Sequence, residues 1–195
     1  GLIYVLVFNG ELATSNMLYL TTGAYYKKIS WTKATKILLY CTFFNLVGAV
    51  ILAYLFNQSF SFLNLKDDSF VVTAATIKLG KSDWGNFIEG ITANMFVNMA
   101  IMGYMLLKEE SAKIFVAISA IFMFVFLINE HLVANFAAFM LLAFNHAKEN
   151  VETFTLMNIL RQWTVVFFAN WLGGGLFIGI AYAWLNQTKT KHVEG

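Results

Sequence analysis

The stretch from Ile114 to Phe144 is a predominantly apolar run whose single ionisable pair, Glu130-His131, lies near its middle. A helix crossing the hydrocarbon core uses about 20 residues, so this run is too long for one ordinary span. A carboxylate beside an imidazole at its centre is costly in lipid unless protein buries it or it lines a cavity. The pattern predicts two half-helices with a non-helical join. Asn9, Gly10 and Glu11 interrupt the first apolar passage, Gly1 to about Tyr26, in the same way. Uninterrupted passages run from Ile37 to Leu55, from about Ile88 to Leu107, and from Trp163 to Leu185. Together these are the passages of a polytopic all-α membrane protein.

Charge supports that class. Charged residues make up 12% of the 195 residues, against roughly 25% in soluble domains, and they cluster between the apolar runs. A net charge of +2 argues against a nucleic-acid partner. Cys41, the single cysteine, lies inside an apolar run, and no zinc or redox spacing exists, so no metal or cofactor is implied. Lys27, Lys28, Lys33, Lys36, Lys108, Lys113, Lys189 and Lys191 fall on one side, outnumbering Lys66, Lys78, Lys81, Lys148 and Arg161 on the other. The first set is expected to face the cytoplasm, the C-terminus with it. With no proline in the chain, helix breaks must rely on glycine and polar side chains.

The two interruptions resemble each other. Glu11-Leu12-Ala13-Thr14-Ser15-Asn16 and Glu130-His131-Leu132-Val133-Ala134-Asn135 both read Glu, four residues, Asn. Each is followed by an apolar helix carrying Asn-x-x-Gly, at Asn45–Gly48 and Asn170–Gly173. An odd number of passages separates the two units, so they lie in opposite orientation, and broken helices in inverted repeats point to a substrate path near the midplane. One transmembrane domain, 1–195, is expected. Residues 1–56 would be the remainder of a first repeat, 57–86 an outer loop, 87–186 a second repeat and 187–195 a cytoplasmic tail. The second unit has a helix before its break, and the first is expected to need one before Gly1.

The intramembrane ionisable residues are the functional candidates. An anion in an apolar lining loses its hydration. His131 can offset this by donating a hydrogen bond or a proton; equally, it can serve as a hydrogen-bonded link between helices. Glu130 and Glu11 fit a structural role, accepting backbone N–H groups that the breaks leave unpaired, with Thr14 and Asn135 as donors around them. Asn94 adds a polar group to the third passage. Lys78 reads either as a cation drawing anions to the outer mouth or as an ordinary loop lysine. Gly173, Gly174, Gly175 and Gly179 form a small-residue packing face. Trp31, Tyr25, Tyr26, Trp84 and Trp163 read as interfacial anchors.

Asn9-Gly10-Glu11-Leu12-Ala13-Thr14-Ser15 resembles the omega-loop motif of formate/nitrite transporters, and Glu130-His131-Leu132-Val133-Ala134-Asn135-Phe136 is similar to that family's central-histidine motif. Gly90-Ile91-Thr92-Ala93-Asn94 and Asn170-Trp171-Leu172-Gly173-Gly174-Gly175 match two further segments in order. The resemblance implies an aquaporin-like bundle with an inverted repeat and two broken helices, of which this chain lacks the first helix and part of the second. It also implies a homopentamer with a pore in each subunit, conducting formate, nitrite, hydrosulfide or lactate-like anions. By position, His131 would be the central pore histidine, Thr14 its loop partner and Lys78 the vestibule lysine. Phe124, Val97, Leu2 and Leu12 would line constrictions, and Gly10 would help the Thr14 loop move. A departure is Ala13, where the family carries a bulky aromatic.

The expected function is therefore a multi-pass cell-membrane channel or transporter, not an enzyme, for small monovalent weak-acid anions, with protons and the lipid bilayer as its other partners. Two rivals belong to other classes: a non-conducting membrane scaffold, and a membrane enzyme using Glu130 and His131 as an acid/base pair. Neighbours on an intact helix point about 100° apart, which weighs against the enzyme.

Overall fold

The computed structural model describes residues 2–8, 10–63 and 65–187, with Leu2 described through its backbone alone. Asn9, the Leu2 side chain and the tail residues 188–195, with Lys189 and Lys191, lie outside the described residues.

Both interrupted passages are broken helices. The first divides into α1 (Leu2–Val7) and α2 (Ala13–Tyr25). A continuous helix, α3 (Trp31–Asn57), follows, then the short α4 (Phe60–Leu63) and α5 (Phe70–Gly80). The third passage is α6 (Asp83–Leu106). The long fourth run divides into α7 (Glu110–Phe126) and α8 (Leu132–Ala143). A 3-10 turn at His146–Asn150 leads to α9 (Leu156–Asn170), which continues without a break through a π-helical stretch, Trp171–Ile180, into α10 (Ala181–Gln187).

Hydroxyl caps decide where several of these helices begin. Ser30, Ser69, Ser82 and Thr155 each accept from the backbone N–H three residues on, satisfying a donor that a helix start leaves unpaired. For this reason α6 starts at Asp83, ahead of the expected boundary at 87, and α9 starts at Leu156, well before the apolar passage that opens at Trp163. Trp163, expected from its sequence position to be an interfacial anchor, packs against α8. Its ring packs edge-on to Phe136, with centroids 4.8 Å apart, and stacks on Phe139.

The surface is what water would not tolerate. The most apolar window of α3 has a mean hydropathy of 2.1, yet only 11% of it is buried within the chain. Leu39, Phe43, Phe44, Leu52 and Leu55 all stand exposed on it. The core helix of a soluble protein shows the reverse. At roughly 25 cal/mol per Å² of apolar surface, a belt of this kind requires lipid or a neighbouring subunit against it.

Inside, α6 packs against α7, α9 and the π-helical stretch, and α2 packs against that same stretch. Glycine permits this closeness. A Cβ on Gly173 would run into the carbonyl of Ile91, and one on Gly174 into the amide nitrogens of Asn94 and Asn98. The obstacle at Gly173 is backbone on the facing helix, which cannot swing aside. Gly173→Ala is therefore expected to cost about 1–3 kcal/mol through overpacking, read as a fall in the unfolding midpoint of the detergent-solubilised protein.

Candidate functional site

The two breaks share one hydrogen-bond scheme. Leu12 and His131 occupy the equivalent N-cap positions of α2 and α8, with nearly identical backbone angles (φ −118°, ψ 124° and φ −116°, ψ 121°). The first backbone N–H of each half-helix donates to an asparagine carbonyl oxygen on another helix: Ala13 N to Asn45 Oδ1 at 2.8 Å, Leu132 N to Asn170 Oδ1 at 2.9 Å. The same asparagines return a bond from Nδ2 to the carbonyl of the break glutamate, Glu11 O at 3.1 Å and Glu130 O at 2.9 Å. The glutamate carboxylates in turn accept from Asn16 and Asn135, both at 2.7 Å. Donors orphaned by the break are paired inside the protein, as the absence of water in a bilayer core demands.

The N-terminal ends of α2 and α8 meet. There Thr14 Oγ1 lies 2.8 Å from His131 Nε2. The other ring nitrogen, Nδ1, accepts from Ala134 N–H at 3.3 Å, so the imidazole does for α8 what a serine does elsewhere. An accepting Nδ1 assigns the hydrogen of the neutral ring to Nε2, which then donates to Thr14. Thr14 is gripped from behind. Its carbonyl accepts from Asn94 Nδ2 (3.1 Å) and Asn98 Nδ2 (3.3 Å), and Asn94 also holds Asn170 O at 2.7 Å.

His131 opens onto a cavity of about 400 Å³ lined by Leu12, Val97, Phe124, Val125 and Val133 among others, and it is the one polar side chain among the described lining residues. The Phe124 ring lies 5.6 Å from the imidazole. Gly10 and Glu11 line a second cavity of about 390 Å³, with Ser15, Asn16, Tyr19 and Tyr104; Val5 belongs to both.

The structure thus brings together His131, Thr14, Leu12, Val97 and Phe124. Asn94 stands apart from the cavity. It is fully buried behind Thr14, with its amide spent on backbone. Ala13 is fully buried. Gly10 has no positive φ, and a Cβ there would meet only ordinary contacts, so its backbone uses nothing peculiar to glycine.

Glu130 and His131 are neighbours in the chain that face different partners. Glu130 is completely buried and accepts from Lys78 (3.1 Å), Lys81 (2.8 Å), Gln162 (2.8 Å) and Asn135. No acid/base dyad is assembled. Lys78 is not a bare cation, since Glu130 and the carbonyl of Asn129 (3.3 Å) hold its ammonium and little of it is exposed. Lys81 pairs with both Glu130 and Glu89. Gln162 and Asn98 escaped sequence reasoning, which marks Glu89 as an intramembrane charge without a role and Lys81 as the alternative to Lys78. Asn98 and Gln162 carried the available signal, being amides within or beside apolar passages.

Two half-helices whose N-termini meet beside one cavity, inside an apolar-coated inverted repeat, define a membrane channel or transporter subunit. The chain belongs to the formate/nitrite transporter family, whose profile matches residues 1–184. It is 32% identical over 193 residues to the nitrite transporter NirC of Escherichia coli (strain K12), covering 98% of this chain and 69% of that protein. It is 30% identical to the formate channel BtFdhC of Bacillus thuringiensis, covering 100% and 73%. Among solved structures, an FNT family ion channel superposes with a TM-score of 0.87 at 29% identity, over 95% of this chain and 73% of that one. A pentameric formate channel with formate bound has the same fold, with a TM-score of 0.76 at 24% identity over 96% and 79%. These relatives are channels and transporters; the chain is a transporter-family membrane protein and not an enzyme.

The repeated asparagines make a differential prediction. Asn170 is fully buried and serves Leu132 N, Glu130 O and Gly90 O (2.7 Å), whereas half-buried Asn45 serves two groups. Asn170→Ala is expected to lower stability by about 2–4 kcal/mol through stranded buried partners. Asn45→Ala should cost about 1 kcal/mol, a typical lost cap. Thermal unfolding of the two variants in detergent measures the difference.

Proposed function

We propose that this chain conducts small monovalent weak-acid anions, formate and nitrite first, with hydrosulfide and lactate-like anions as further candidates. One observation carries the reading: among the described lining residues His131 is the lone polar side chain of an otherwise apolar cavity, at the meeting point of two helix N-termini. The N-terminal ends of α2 and α8 bring partial positive charge there, which favours an anion. The apolar walls disfavour its charge. The hydrogen on His131 Nε2 is held by Thr14 Oγ1, and an entering anion competes with Thr14 for it. Hydrogen bonding needs only the neutral ring. Proton transfer needs the ring charged first, which places hydrogens on both nitrogens and gives up the bond accepted from Ala134.

In this reading Leu12, Val97 and Phe124 shape the apolar passage, and Asn94 fixes Thr14 from behind. Glu11, Glu130 and Asn135 hold the breaks. Lys78 contributes charge at the outer vestibule from within its pair with Glu130. Gly10 and Glu11 line the second cavity and Leu12 lines that of His131, which makes this loop the candidate for a cytoplasmic gate. The C-terminus faces the cytoplasm. The exposed apolar belt on α3 is covered by lipid and by sister subunits of a homopentamer, the assembly named for one structural neighbour.

The test is flux of formate, nitrite, hydrosulfide and lactate into proteoliposomes carrying the full-length protein, across external pH. Flux should exceed that of empty liposomes and rise as pH falls, because the neutral acid then forms more readily. His131→Ala should abolish or reshape that pH dependence. Thr14→Val should lower flux about five- to ten-fold, the equivalent of one lost hydrogen bond. An intact assembly without flux would overturn the reading in favour of a scaffold.

A further inference from the structure

The loop that delivers His131 holds a conformation its sequence does not favour. Ile128 sits at φ 51°, in the left-handed region where a β-branched side chain is strained. Such a residue persists only where its surroundings over-determine it. Here two lysines from outside the break supply the constraint. Lys78 Nζ donates to Asn129 O and to Glu130 Oε2. Lys81 Nζ donates to Ile128 O at 3.1 Å, to Glu130 Oε1 at 2.8 Å, and to Glu89 on α6. An ammonium has three N–H donors, and Lys81 presents them to three acceptors. It lies in the short link between α5 and α6 and is absent from the lining of the His131 cavity.

We propose that Lys81 is a positioning residue for His131. It fastens the strained Ile128 carbonyl and the Glu130 carboxylate together, and so sets the N-cap geometry from which the imidazole reaches Thr14, while Glu89 orients the ammonium for that task. The proposal rests on the reading of His131 as the group that meets the anion. It differs from electrostatic attraction: an attracting lysine acts on how much anion arrives, a positioning lysine on how well the anion is passed once there.

The experiment uses the full-length protein in proteoliposomes with formate as the probe, comparing wild type, Lys81→Met, Lys81→Arg, Ile128→Gly and the double variant Lys81→Met/Ile128→Gly. Maximal flux and half-saturating concentration are measured, together with amide hydrogen exchange over residues 127–132. Lys81→Met is expected to lower maximal flux roughly ten-fold, the loss of hydrogen bonds to a charged group, with the half-saturating concentration unchanged and exchange faster. Lys81→Arg should keep most of the flux. Glycine removes the strain at position 128, so Lys81→Met should cost far less in the Ile128→Gly background. The idea is overturned by wild-type flux and exchange in Lys81→Met, by a raised half-saturating concentration with maximal flux intact, or by equal losses in both backgrounds. Should Lys81→Met fail to assemble, Glu89→Gln takes its place: a smaller fall in maximal flux with faster exchange supports the proposal, and unchanged values sink it. A wild type without flux would sink the transport reading instead, leaving the exchange data to decide the clasp.

Discussion

Everything at the centre of this protein depends on an asparagine reaching from one helix to cap another. A helix broken inside a membrane strands backbone donors where no water can pair them. Asn45 and Asn170 answer that constraint twice, each accepting from the first N–H of a half-helix and donating to the carbonyl just before it. Because both ends of the join are held, the residue between them is pinned at the N-cap. In one repeat that residue is Leu12, in the other His131. The same scaffold thus presents an apolar group from one side and an imidazole from the other to a shared cavity.

The electrostatics follow from which way adjacent side chains leave the break. Glu130 turns into the protein, where two lysines and two amides satisfy it, and the charges of Lys78, Lys81, Glu89 and Glu130 balance. A buried carboxylate is tolerable on those terms and costly otherwise. His131 turns the other way, to Thr14 and the apolar lining. The cavity therefore presents the imidazole and not the carboxylate next to it in sequence. The same divergence removes the acid/base pair that an enzyme reading required.

Legibility differed sharply from place to place. The Glu130-His131 pair inside an uninterrupted apolar run could be read as a break directly, because lipid penalises ionisable groups whatever the fold. The matched Glu-x4-Asn and Asn-x-x-Gly elements exposed the inverted repeat for a related reason: each break needs its own caps. The charges of Lys81 and Glu89 are plain in the sequence but their roles are not, and Gln162 and Asn98 give no comparable warning. Their meaning lies in partners from eight to more than eighty residues away, and spacing along one helix cannot disclose such contacts. Trp163 meets the same limit: its packing on Phe136 and Phe139 is a contact that its place at the edge of an apolar run does not announce.

The sequence by itself determined that the chain crosses a membrane, where its helices break and that the two halves repeat. These properties depend on local composition and on the price of unpaired polar groups in lipid. Tertiary structure alone decided which polar residues face the cavity. His131 opens onto it while Asn94 withdraws behind Thr14, and Lys78 closes on Glu130 instead of standing free. The physical reason is that burial and charge pairing belong to the packed arrangement: a side chain's chemistry is set by what its neighbouring helices bring to it, and those neighbours are distant in the chain.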